Sequence, residues 1–261
     1  MPITPDADEE WSAHFVSALG IELWPEGGIT HGRAELRPEM WAPGTDVPRL
    51  GVLATMVDMV VGSPPTGAIN PTVDLRVTLL ARPPAEGTVL LECRPVKVGR
   101  RLFVGETLLH TGDPDHAFAR STATFMNEPI PDATAMFRPL PGTRLAAPSF
   151  DEILNTRILA PGLMEMDAHP RVSNGPGGTI QGGAQALLGE IAAEHALEPR
   201  GRFAAVDLDI RYLNRVRTES VVATAQVLPG ELEHVTVRVP ITGNGDDERI
   251  VSLVSVACRE L

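Results

Sequence analysis

Several residue types are scarce in this sequence, and each shortage excludes something. Only two of the 261 residues are cysteine, Cys93 and Cys258, and neither lies in a CxxC or other ligand spacing. They read as two buried structural thiols in a reducing compartment. Aromatic residues make up 4% of the chain, with a single tyrosine, so an aryl-stacking pocket is not indicated and the composition leans towards aliphatic ligands. No uncharged run approaches the ~18 residues of a membrane span. The longest candidate, Val52–Val61, is interrupted by Asp58. The N-terminal MPITPDADEEW has no apolar core of a secretory signal, so a cytoplasmic location is expected. Positive charge is also short. The net charge is −12 and the pI about 5.0, which argues against nucleic-acid partners and against an anionic membrane surface. The seven histidines, at 14, 31, 110, 116, 169, 195 and 234, show no metal-ligand spacing. GxGxxG, GxxxxGK[ST] and GxSxG are all absent.

What is present is enough apolar material, 43% of residues, to bury a core in one large domain or two of about 130 residues. The chain repeats itself. GVLATMVDMVVG from Gly51 returns as GAQALLGEIAAE from Gly183, and VDLRVTLL from Val73 as VDLDIRYL from Val206. TVLLECRPV from Thr88 aligns with SVVATAQVL from Ser220, and HAFARSTATF from His116 with RIVSLVSVAC from Arg249. All four pairs keep an offset of 132 or 133 residues, a register that chance similarity does not hold. Residues 1–128 and 149–261 therefore read as two copies of one unit. Between them, 129–148 is rich in proline and reads as an extended linker.

Each copy follows one plan. A strand is expected over Gly32–Met40, after the Gly27–Gly28 turn. Leu53, Met56, Val57 and Val60 then fall at helical spacing within Leu50–Gly62, and the remaining apolar positions make that helix buried nearly all round. Alternation from Val73 to Leu79 gives a half-buried strand, followed by strands near Thr88–Val98, Arg101–Thr111 and His116–Phe125. The second copy gives a helix near Gly183–Ala196 and strands near Ala204–Leu213, Ser220–Leu228, His234–Thr242 and Arg249–Cys258. The fold class is α+β: in each copy a curved antiparallel sheet wraps one apolar helix.

Two acids stand out. Asp58 sits in VLATMVDMVV and Glu190 in ALLGEIAA, at the same register of the two buried helices. Such a carboxylate either caps or pairs with a neighbouring element, or works in a cleft. Glycine opens both helices, as Gly51 in RLGV and as Gly182–Gly183 in QGGA. Glycine admits a substrate close to the backbone, and free N–H groups at a helix start suit a developing oxyanion. The run GPGG from Gly175 reads as the loop into the second helix.

These residues resemble the PaaI-like acyl-CoA thioesterases of the hotdog fold, in a tandem double-hotdog form. RLGVLATMVD with VDLRVTLL, and QGGAQALLGE with VDLDIRYL, match that family's helix-start and acid pattern twice, and VKVGRRLFVGETLL from Val96 is similar to the same family. The resemblance implies an intramolecular pseudo-dimer with one continuous sheet and both helices on one face. It also implies hydrolysis of an acyl thioester without metal or redox cofactor, coenzyme A entering as part of the substrate. A helix-start glycine amide would polarise the carbonyl, and the acid of the other copy would act as nucleophile or general base. The departures are unequal. Arg49 and Leu50 replace the family's His-Gly before Gly51; Gln181 replaces the His before Gly182; the upstream Asn survives only as Asn174. The cleft of Asp58, Gly182, Gln181 and Asn174 is thus expected to work. That of Glu190 and Gly51 is expected to be degenerate, with Arg49 pairing with Glu190 and lowering its pKa. Arg82, Arg100, Arg101 and Arg215 are candidates for the coenzyme A phosphates. A hotdog dehydratase or hydratase, a non-catalytic acyl-CoA-binding module, and further pairing of pseudo-dimers into a homo-oligomer stay open.

Overall fold

A computed structural model describes residues 14–67, 69, 71–129, 149–173, 179–216, 219–230, 233–244 and 249–261. All of the linker expected over 129–148 except residue 129, together with Asn174 and the GPGG run at 175–178, lies outside the described residues.

The first half carries β1 (Glu22–Glu26), β2 (Ile29–Leu36), α1 (Leu50–Val61), β3 (Thr72–Leu79), β4 (Gly87–Val98), β5 (Leu102–His110) and β6 (Ala119–Met126). The second carries α2 (Phe150–Leu154), β7 (Thr156–Ala160), β8 (Leu163–Asp167), α3 (Gly182–Leu197), β9 (Phe203–Tyr212), β10 (Ser220–Thr224), β11 (Gln226–Val227), β12 (Val235–Gly243) and β13 (Ile250–Glu260). Several boundaries differ from the sequence-based expectation, for local reasons. The strand expected over Gly32–Met40 is β2, which stops before Pro38. Proline has no N–H to give a ladder, and it opens a 3-10 turn, Pro38–Met40. Gly27 and Gly28 have φ of 59° and 80°, the positive pair that a two-residue hairpin turn between β1 and β2 needs. Pro114–His116 is a 3-10 turn capped by Asp113, so β6 begins at Ala119 rather than His116. The strand expected over Ser220–Leu228 breaks at Ala225, whose N–H bonds the Gly162 carbonyl at 2.7 Å instead of a ladder partner. The short helix α2, with a capping box between Ser149 and Glu152, was not anticipated.

All strands form one sheet of order β1-β2-β4-β5-β6-β3-β9-β13-β12-β10-β8-β7, with β11 beside β12. The order is a palindrome of the two copies, and the chain is a double hotdog. At the centre β3 and β9 pair antiparallel. Arg76 stands opposite Asp209, its own repeat equivalent, while Asp74 meets Arg211 and Thr78 meets Asp207. A pseudo-twofold axis therefore passes through the Arg76–Asp209 pair. Ion pairs such as Arg211–Asp74 at 3.3 Å lie on the outer face with half-exposed arginines, and such pairs contribute about 0.2–1 kcal/mol each. The opposite face buries Leu75, Val77, Leu208 and Ile210, about 1.5–3 kcal/mol per side chain, and dominates the junction.

Both helices lie against that face and cross each other. A Cβ on Gly51 would lie 2.4 Å from the Leu187 backbone, and one on Gly183 would lie 1.9 Å from Thr55 Oγ1. Positions 55 and 187 are equivalents, as are 51 and 183, so the crossing obeys the same twofold. Among the described residues no helix is long and apolar enough to cross a membrane.

Candidate active site

Asp58 and Glu190 each lie one helical turn beyond a crossing contact. Asp58 follows Thr55, which touches Gly183; Glu190 follows Leu187, which touches Gly51. Residues three apart share a helix face. Each acid therefore stands on the side of its helix that meets the other copy's helix, but the two helix ends differ.

Glu190 reaches its helix end and closes it. Its Oε1 accepts the Leu50 N–H at 3.0 Å and its Oε2 the Gly51 N–H at 2.6 Å. The residue is 2% exposed, and Arg49 beside it 3%. Arg49 is shared among three acids. It makes a bidentate contact to Asp151 on α2, at 3.1 and 2.6 Å, a short contact to Glu194, and a longer one of 3.9 Å to Glu190. Against the cost of burial, Glu194, Glu190 and Asp151 hold Arg49 charged. Glu194 stands on the extra turn of α3, at the position that Gly62 occupies after α1. One guanidinium is divided among a buried carboxyl, Glu190, and two partly buried ones, Asp151 and Glu194. Burial raises Glu190 to about 8, over the opposing pull of Arg49 and with added repulsion from Glu194. The expected pairing with Arg49 is present, but the expected fall in pKa is reversed. Gly51 is likewise corrected: its missing side chain makes room for Leu187, and its amide is taken by Glu190.

The other end is not closed by its acid. Asp58 is one methylene shorter. Its Oδ1 accepts from the Thr72 hydroxyl at the start of β3, at 2.6 Å. Part of the residue reaches solvent, yet burial of the carboxyl, only partly offset by Thr72, raises it to about 6. Among the described residues neither the Gly182 nor the Gly183 N–H has an acceptor. Gln181 is engaged otherwise: its Oε1 caps α3 by accepting the Ala184 N–H at 2.9 Å, and its own N–H bonds the Val172 carbonyl at 2.7 Å. It shapes the helix start rather than reaching across the cleft. The glycine at 183 serves the helix crossing. Gly182 faces the ring of Tyr212, where a Cβ would lie 3.0 Å from both Cζ and Oη. Sequence reasoning passed over Tyr212. Its signal was available, since it is the chain's one tyrosine and it replaces Leu79 of the first copy. Thr72, one residue before the VDLRVTLL segment, was passed over too.

The four arginines do not converge. The register places Leu102 beside Met126, Phe125 beside Thr72, and Asp74 beside Arg211. The Arg100–Arg101 turn and Arg215 thus lie at the sheet end that holds Thr72 and Tyr212, all three exposed. Arg82, at the far end of β3, pairs with Asp46. Cys93 and Cys258 are buried free thiols, raised by that burial. Among the described residues no group of three or more His, Cys, Asp or Glu is arranged to hold a metal. A surface depression bounded by Leu19, Glu35, Arg37 and Glu86 includes none of the residues above.

No protein-family model and no curated protein sequence matches the chain. Solved structures do. A conserved protein of unknown function with the hot dog fold from Alicyclobacillus acidocaldarius superposes with a TM-score of 0.63 at 13% identity, over 94% of this chain and 97% of its own. The tesB protein of Mycobacterium avium subsp. paratuberculosis gives 0.63 at 14% identity, over 94% and 97%. The 12:0-ACP thioesterase of Umbellularia californica gives 0.58 at 12% identity, over 90% and 99%. At these identities the likeness is one of fold: the chain is a double hotdog whose structural neighbours include thioesterases.

Proposed function

We propose that the chain hydrolyses an acyl thioester, with acyl-CoA as the substrate class, in the single cleft between Asp58 and the N-terminus of α3. The observation that carries this reading is the contrast between the two helix ends. One is plugged by a buried carboxylate. The other has two amides without an acceptor among the described residues, and the acid at the equivalent position, Asp58, has a pKa of about 6 that leaves it ionised, and therefore basic, at neutral pH.

In this reading the α3 amides polarise the thioester carbonyl. Asp58, steadied by Thr72, takes a proton from the attacking water. The tetrahedral intermediate then collapses, and the thiolate leaves with that proton. In the same reading Arg100, Arg101 and Arg215, which lie at one sheet end, meet the phosphates of coenzyme A. The thioesterase names of the structural neighbours support the reaction class through the fold.

Free-thiol release from acyl-CoAs of graded chain length, with the Asp58→Asn variant as control, tests the proposal. Hydrolysis lost in the variant is the expected result. A folded wild-type protein that binds acyl-CoA without cleaving it is instead a binding module, and one that hydrates an enoyl-CoA is a hydratase.

A further inference from the structure

We infer that Tyr212 is a side-chain donor of the oxyanion site, its hydroxyl binding the thioester carbonyl oxygen beside the Gly182 and Gly183 amides. This rests on the thioesterase reading above and adds a catalytic residue to it.

Three independent observations place it there. By strand alternation Tyr212 shares with Leu208 and Ile210 the face of β9 that meets the helices. Its ring stands against Gly182 at the helix start, 3.0 Å from where a Cβ would be. Arg211 pairs with Asp74, so Tyr212 lies one step further along, beside the start of β3, where Thr72 holds Asp58. The two copies also differ in a correlated way. The working cleft has Gly182 and Tyr212, whereas the closed cleft has Leu50 and Leu79 at the equivalent positions. A side chain at 182 would push the tyrosine away, so the glycine and the phenol belong together. Among the described residues the hydroxyl has no hydrogen-bond partner, although a tyrosine in such a setting ordinarily has one. Burial and the nearby Asp58 hold the phenol well above its usual pKa, so it stays a neutral donor.

The step balances. The water oxygen bonds to the carbonyl carbon, and its proton passes to Asp58. The carbonyl π electrons move to the oxygen held by Tyr212 and the amides. Their return expels the thiolate, which takes the proton back from Asp58.

The test compares wild type, Tyr212→Phe and Tyr212→Leu on an acyl-CoA that the wild type hydrolyses. Phenylalanine keeps the ring on Gly182 and removes only the hydroxyl. Loss of one oxyanion donor lowers kcat by about 10²–10³-fold. KM should change by less than about threefold, because the donor acts chiefly in the transition state. The thermal midpoint and the acid limb of the pH profile should be retained. Tyr212→Leu, the residue of the other copy, should lose as much kcat. If Tyr212→Phe keeps kcat near wild type, or loses it only together with thermal stability, the donor role is overturned. A wild-type chain without thioesterase activity overturns both this inference and the function beneath it; an active wild type beside an equally active Tyr212→Phe overturns this one alone.

Discussion

A carboxylate on a buried helix is costly when ionised, and Asp58 and Glu190 meet that cost differently. Asp58 has one neutral donor, Thr72, and a pKa raised by burial to about 6 from the usual 3.8. Because the folded value is the higher one, the folded chain favours the protonated acid. That contribution to stability is complete below about pH 4 and is lost as pH rises through about 6. Catalysis runs the other way, since a general base must be ionised. kcat/KM should therefore rise with pH through about 6, and Asp58→Asn should lower turnover by about 10²–10⁴-fold while leaving stability at pH 7 unchanged or higher. A pH–rate profile with parallel thermal melts checks both halves. An acid limb near 8 instead of 6 would transfer the base to Glu190.

At the scale of elements, two contacts fix how the helices meet. The first is the Arg49 cluster, which ties the start of α1 to α2 and α3. Arg49→Gln, the residue of the other copy, leaves one buried and two partly buried acids without their cation and should cost about 3–5 kcal/mol in denaturant unfolding. Glu190→Gln should be far milder. With a folded pKa of about 8 against the usual 4.5, Glu190 destabilises the folded chain increasingly as pH rises through that window. The amide should flatten that loss and leave thioesterase turnover near wild type. The second contact is the glycine crossing. Gly183→Ala drives a methyl into Thr55 and should destabilise by about 1–3 kcal/mol; trimming Thr55 to alanine in the same chain should recover part of it. Gly182→Ala meets the tyrosine ring and hydroxyl first, at 3.0 Å, so it should reduce turnover with little change in stability.

For the whole molecule, the β3–β9 junction and the helix crossing are the structural core. Cutting the chain between its repeats exposes an unpaired central strand and the apolar side of a buried helix. Residues 1–128 or 149–261, expressed alone, should be insoluble or self-associating by light scattering. A monomeric half with dispersed NMR signals would show that each repeat folds by itself.

The constant repeat offset, the apolar helices and the alternating strands were enough to determine two copies of an antiparallel sheet around one buried helix and to single out Asp58 and Glu190, because burial and periodicity are written residue by residue; the hotdog fold itself was implied by the family resemblance. The Gly27–Gly28 turn was legible, but the expected strand overran Pro38, beyond the end of β2. The five-residue strands β7 and β8 were not delineated, because segments so short carry little periodic signal. Only the tertiary structure decided which helix end the other copy's acid caps. That depends on distances between copies about 130 residues apart. Glu190 reaches the Leu50 and Gly51 amides. Asp58, shorter by a methylene, settles on Thr72. Arg49 is claimed by Asp151 and by Glu194 from an extra helical turn. Tyr212 is brought against Gly182 only by the pairing of β9 with β3. Sequence spacing records which side chains share a face of one element. It does not record how far a carboxylate reaches across the gap between two, and that reach, set by helix crossing and strand register, separates the helix end that an acid caps from the one that its acid does not reach.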